Sequence, residues 1–164
     1  MVHEIKGNLL DTNCQYICHQ VNCQGKMNSG VAKAIRDKWP EVYMQYLKKY
    51  ADADGYADEL LGEIQYVPIS NLKCVINMFA QENYGYDGYR YTSYDAFWSC
   101  VNRIAATVPK GSSIAFPNRI GCVRGGANWD VIKNMIEVVL GKDYDVYFYN
   151  LEEENEKDRR IRSC

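Results

Sequence analysis

Apolar and polar residues alternate from Val2 to Lys6 and stop at Gly7, which predicts a first strand; the short apolar segment Tyr16 to Val21 predicts a second. Gly7-Asn8 marks a turn between them. From Gly30 to Tyr50 the apolar positions Val31, Ile35, Trp39, Tyr43 and Leu47 recur every four residues, as one helical face requires, and Pro40 should break or kink that run. Ile64 to Ile69 and Leu72 to Phe79 read as neighbouring strands separated by Ser70-Asn71. The second is apolar almost throughout, the mark of a central strand buried on both faces. Thr92 with Asp95 has the form of a capping pair for a helix from about Ser93 to Val108, ended by Pro109-Lys110-Gly111. Ile114 to Pro117 is a further short strand. Gly125-Gly126 leads into a helix over Trp129 to Leu140 with Gly141 as its C-cap, and Tyr144 to Leu151 closes the core as a strand.

Strands alternating with helices of this length predict a layered α/β domain, with no internal repeat or linker. One domain over 1–151 suits a chain of 164 residues, 47% hydrophobic and 24% charged. Such a chain buries roughly 70% of its unfolded surface, enough for a rigid site without disulfides or metal. The tail 152–164 carries five acidic and four basic residues and almost nothing apolar, so it is expected to stay outside the core.

Charge and cysteines narrow the function classes. A net charge of −2 gives no general basic field, which argues against a protein that lives by phosphate contacts along nucleic acid. The seven cysteines (14, 18, 23, 74, 100, 122 and 164) contain no Cys-x-x-Cys pair, so neither a zinc knuckle nor a thioredoxin-type motif is expected. The longest apolar stretch, Cys74 to Ala80, interrupted only by Asn77, is far short of the roughly 20 residues of a membrane span. The first residues also lack a secretion-signal layout, and a cytoplasmic location is expected.

Two glycine-bearing loops, Asn22 to Gly30 and Pro117 to Gly126, each run from the end of a strand to the start of a helix, the edge of an α/β sheet where ligands bind. Glycine lets backbone approach a ligand, and bare amides at a helix start favour phosphate. Two such loops could grip a diphosphate; singly, either could merely serve a tight turn. Gly25-Lys26 and Gly141-Lys142 lack the Ser or Thr of a P-loop, and G-x-G-x-x-G is absent, so kinase, GTPase and Rossmann readings fall away.

Gly7-Asn8-Leu9-Leu10, then Cys18 to Cys23 with Gly25 to Ala32, then Pro117 to Trp129, resemble in order the macrodomain, the ADP-ribose-binding module. The resemblance covers residues 1 to about 151. The segment Asn77 to Tyr94 is similar to the bacterial and phage branch concerned with ADP-ribose 1''-phosphate. The resemblance implies a three-layer α/β/α fold with a mixed central sheet and a cleft across the strand ends. Asn8, Leu9, Tyr149 and Leu151 would meet the adenine. The second loop, Gly121, Cys122, Val123, Arg124, Gly125 and Gly126, would wrap the diphosphate. The first, from Asn22 through Met27, Ser29, Gly30 and Val31, would hold the distal ribose.

Asn22, whose amide can both donate and accept, would orient ribose hydroxyls, unless it caps its own loop instead. His19 stands at the position of a functional histidine and would act as acid or base at the 1''-phosphate, the alternative being a structural histidine. The implied activity is a phosphohydrolase releasing ADP-ribose, without metal or cofactor; the alternative is a non-catalytic ADP-ribose reader. The partner would be ADP-ribose or a derivative, with no membrane or direct nucleic-acid contact. Asn8 and Asn128 stand where many relatives carry aspartate, and Asn28 where they carry glycine. A de-ADP-ribosylating mechanism through lysine ranks lower. No lysine lies between Lys73 and Lys110, and Gly125 replaces its aspartate. Cys122 lacks a basic partner other than Arg119 or Arg124 and reads better as a packed thiol than as a nucleophile.

Overall fold

The computed structural model describes residues 1–151; the charged tail expected over 152–164 lies outside the described residues. Six strands, β1 (Val2–Lys6), β2 (Tyr16–Asn22), β3 (Ile64–Pro68), β4 (Cys74–Gln81), β5 (Ser113–Pro117) and β6 (Asp145–Asn150), form one sheet in the order β1-β6-β5-β2-β4-β3. Every neighbouring pair is parallel except β3 with β4, so the sheet is mixed. Four helices cover it: α1 (Gly30–Lys38), α2 (Pro40–Asp52), α3 (Tyr94–Thr107) and α4 (Trp129–Leu140).

Strand alternation divides the core in two. Cys18, Ile76, Met78, Ile114, Phe116, Val146 and Phe148 pack with Phe97, Ile104, Ile132 and Ile136 of α3 and α4. Ile17, Val21, Val75, Phe79 and Ala115 pack with Ile35, Val42 and Tyr46 of α1 and α2. The result is the expected α/β/α sandwich, with β4 buried from Val75 to Ala80.

Pro40 breaks the long helical run as expected, because its ring cannot continue α1; it becomes the first residue of α2, where its missing N–H costs nothing. The break rotates the buried face. Val42 and Tyr46 are fully buried, whereas Trp39, Tyr43 and Leu47 are only partly so and Val31 is exposed. Two boundaries also differ from the sequence pattern. The β3–β4 turn is longer than Ser70-Asn71: Ile69 N pairs with Lys73 O, Ser70 Oγ accepts from Leu72 N, and Leu72 is 83% exposed. Ser93, not Thr92, caps α3 through the Ala96 amide. Among the described residues no helix is long and apolar enough to cross a membrane.

Candidate functional site

Because β2 and β5 are parallel neighbours, the loops that follow them leave the same edge of the sheet side by side. The first loop is tied down by Asn22. Its Oδ1 accepts from Gln24 N (3.0 Å), Lys26 N (3.4 Å) and the Tyr46 hydroxyl (2.8 Å), and its Nδ2 donates to Lys26 O (2.9 Å). The register of β2 against β4 slips by one residue between Val21 and Asn22, where alternation ends and Asn22 reaches Tyr46 of α2. The Tyr46 hydroxyl is a buried hub: it also lies 2.8 Å from Asn22 O and accepts from Lys26 N. Burial drives its pKa up, so it stays a protonated donor. At Gly25, φ is +74° and a Cβ would meet the Tyr50 ring at 2.9 Å, so α2 presses directly on the loop backbone. Met27 is buried beneath it. Beyond Met27, Gly30 has φ +60° with open space around it, and Val31 is exposed. The Ser29 side chain makes no cap bond, in contrast to Ser93 of α3 and Asn128 of α4, which leaves the first amides of α1 bare.

The second loop turns on Gly121 (φ +75°) and Gly126 (φ +68°). Its carbonyls face inward. Gly121 O accepts from the Thr92 hydroxyl and Ala127 N, and Gly125 O from Tyr91 N and Thr92 N. Its amides are used differently. Cys122 N closes a turn onto Arg119 O, while the N–H groups of Val123, Arg124, Gly125 and Gly126 donate to no hydrogen-bond acceptor among the described residues. Four successive unpaired N–H groups in a turn are donors that an oxyanion can use. Arg124 adds positive charge at the rim, its guanidinium 4.8 Å from the centre of the Tyr86 ring. Cys122 is half-buried and burial pushes its thiol up to about 11, against a smaller opposing pull from Arg119. A thiolate nucleophile is therefore not available there near neutrality.

The residues expected to meet an adenine are less open. Leu9 is buried in the core, and Asn8 caps the short turn Leu9–Asp11 through Leu10 N. The Tyr149 hydroxyl accepts from Thr12 Oγ1 (2.8 Å), and its ring is half-buried beside Gly7. Leu151 is 58% exposed just past β6.

His19 does not line either loop. It sits on the α1/α2 side of β2, 1% exposed, with Asn77 of β4 and Gln65 of β3 opposite it across the sheet. Asn77 Nδ2 donates to Gln65 Oε1, so Asn77 Oδ1 is an acceptor and His19 Nε2 carries the proton between them, at 2.5 Å. Gln65 in turn donates to Gln45 O of α2. His19 Nδ1 is buried and finds no hydrogen-bond partner among the described residues. Burial holds the imidazole neutral and lowers its pKa to about 4, outweighing the Asn77 bond.

The sequence pattern missed Gln20, Thr92 and Tyr46, which shape the loops. Gln20 had a signal, a polar residue inside an apolar strand. Tyr46 lies off the expected helical face, and Thr92 beside Asp95 has the form of a cap. Asn128 proves to be the cap of α4, accepting from Asp130 N and Val131 N. A cavity of about 400 Å³ beyond the second loop is lined by Glu82, Arg90, Tyr91, Thr92 and Asp95, and by neither glycine loop.

The model of the macro domain family matches residues 18–136, and the chain belongs to that family. A structure from Bacteroides thetaiotaomicron is 26% identical with TM-score 0.79, covering 92% of this chain and 100% of its own. The macrodomain of Thermus aquaticus DarG is 23% identical with TM-score 0.71, covering 92% and 98%. Thermosipho africanus DarTG in complex with ADP-ribose is 18% identical with TM-score 0.72, over 93% of this chain and 43% of that one, a likeness of fold. Comparison with curated proteins returns no match.

Proposed function

We propose that the cleft between the two loops binds ADP-ribose, free or carried on another molecule. The observation that carries this is the run of unpaired amides from Val123 to Gly126 together with the uncapped start of α1, two sets of bare N–H donors in the segments that follow adjacent strands. Such donors suit the two phosphates of a diphosphate, each charge-assisted bond contributing about 1.5–3 kcal/mol. Family membership supports the same ligand, and Thermosipho africanus DarTG has been seen with ADP-ribose. In this reading Ser29, Gly30 and Val31 meet the distal ribose and its phosphate through backbone. Asn22 acts by shaping the loop, since its amide is already committed to Gln24, Lys26 and Tyr46. Tyr149 offers an aromatic edge to the adenine.

Release of phosphate from ADP-ribose 1''-phosphate is the finer reading. It requires an acid or base that touches the substrate, and a neutral, 1% exposed His19 is poorly suited to that part. We therefore favour a reader. Isothermal titration with ADP-ribose should give one site per chain, while single-turnover incubation with ADP-ribose 1''-phosphate should leave the substrate intact. Phosphate release by the wild type that falls at least about tenfold in His19→Gln, with binding unchanged, would replace the reader by a phosphohydrolase.

A further inference from the structure

The shape of loop 2 depends on a segment distant in sequence. After β4 the chain runs from Glu82 to Thr92 before entering α3, and it returns to the sheet through an isolated antiparallel bridge between Gln81 and Thr92. There it lies along loop 2. Tyr91 N and Thr92 N donate to Gly125 O at 2.8 and 3.0 Å, and the Thr92 hydroxyl donates to Gly121 O at 2.8 Å. The packing leaves no room for side chains: a Cβ on Gly125 would come within 2.2 Å of Thr92 Oγ1, and one on Gly126 within 2.7 Å of Tyr89 O.

Thr92 is 2% exposed and is itself seated on β2. Gln20 Nε2 donates to the Thr92 hydroxyl at 2.8 Å and to Gln81 Oε1 at 2.7 Å. Gln20 Oε1 is buried with no hydrogen-bond partner among the described residues, 2.8 Å from where a Cβ on Gly121 would stand. Leaving a buried acceptor unpaired costs stability. The arrangement accepts that cost and keeps the single Thr92 proton for Gly121, because Gln20 occupies the hydroxyl lone pair as donor.

The carbonyl and the following N–H of a peptide plane point in opposite directions. Drawing Gly125 O onto the main-chain N–H groups of Tyr91 and Thr92 therefore turns the Gly126 N–H away from the brace, and the Thr92 hydroxyl, bonded to Gly121 O, holds that main chain against the loop. We propose that Thr92, seated on Gln20, is a positioning residue that presets the bare amides of loop 2 for an oxyanion before any ligand arrives. The consequence for ligand rests on the ADP-ribose reading above; the brace itself does not.

The test uses the full chain as wild type, Thr92→Val, Thr92→Ser and Gln20→Met. Without ligand, hydrogen exchange at the bonded amides of the brace, Tyr91, Thr92, Cys122 and Ala127, should quicken at least about tenfold in Thr92→Val, less in Gln20→Met, and hold near wild type in Thr92→Ser, while exchange over 24–30 stays unchanged in all. With ligand, Thr92→Val should weaken ADP-ribose at least about tenfold, Thr92→Ser should restore it to within about threefold, and adenosine, which lacks phosphates, should change less than about twofold in an NMR titration. Unchanged exchange at Tyr91, Thr92, Cys122 and Ala127 in Thr92→Val overturns the brace. Equal losses for ADP-ribose and adenosine, or no rescue by serine, overturn its role in phosphate binding. A wild type that binds no ADP-ribose overturns the ligand reading alone, and the exchange measurement still decides the brace.

Discussion

The two loops at the strand-end edge reach similar ends by opposite routes. Loop 1 is held from within its own strand–loop–helix unit: Asn22 at the end of β2 binds backbone two and four residues on, and Tyr46 of the following helix α2 secures both. Loop 2 has no side chain of its own in that part; its carbonyls are held by Thr92 and Tyr91, which precede it by about 30 residues, and Thr92 is in turn held by Gln20 on another strand. A self-contained loop can be built from a local motif, whereas a braced loop exists only once the sheet has assembled. Loop 1 should therefore fail with the stability of the domain, and loop 2 should fail by losing ligand while the domain survives.

The largest expected effect separates the two. Asn22→Ala removes the four side-chain hydrogen bonds of Asn22, leaving the Tyr46 hydroxyl only its main-chain partners, and should cost about 3 kcal/mol in urea unfolding, with loop 1 exchanging faster and loop 2 unaltered. Next comes pH, acting on the α1/α2 side alone. His19 is held at about 4 against an ordinary value of 6.5. Between those values the unfolded chain binds a proton that the folded chain refuses, so stability is full above about pH 6.5 and falls as pH drops towards 4. The loss should approach roughly 3 kcal/mol, and denaturant midpoints at pH 7 and pH 5 should converge in His19→Gln.

Gly125→Ala attacks the other loop. Its Cβ would overlap Thr92 Oγ1 and Gly121 O, at 2.2 and 2.4 Å, so loop 2 must shift off its brace. A stability cost of about 1–2 kcal/mol and a loss of ADP-ribose affinity beyond about tenfold are expected, read by thermal melting and calorimetry. The smallest effect is Asn128→Asp. Asparagine and aspartate cap helices about equally well, so stability should stay within about 0.5 kcal/mol, and a gain of phosphatase turnover in this variant would mean that position 128 does more than cap α4.

The layered α/β order, the break at Pro40 and the two glycine loops were legible because each rests on local spacing or on a residue with one backbone preference. Trp129–Leu140 is legible to the residue, since Gly125-Gly126 before it and Gly141 after it bracket the apolar period. What escaped was whatever depends on a partner far along the chain. Thr92 beside Asp95 has the form of a cap, and only tertiary structure shows its hydroxyl spent on Gly121 while Ser93 does the capping. Asn22 is expected to orient ribose hydroxyls, yet its amide is spent on its own loop and on Tyr46, which sits on a helix turn whose facing changes after Pro40. His19 is adjacent in sequence to site residues, but strand alternation sends it to the opposite face from Gln20, into the Asn77–Gln65 pair.

Backbone amide NMR during titration of the wild-type chain with ADP-ribose tests the central claim most directly. The account predicts that Val123 to Gly126 and Ser29 to Val31 shift together, on one saturable curve of one ligand per chain, with the Asn22 and His19 side-chain environments little changed. Absence of a saturable shift in either loop, or saturation confined to residues away from both, would contradict it.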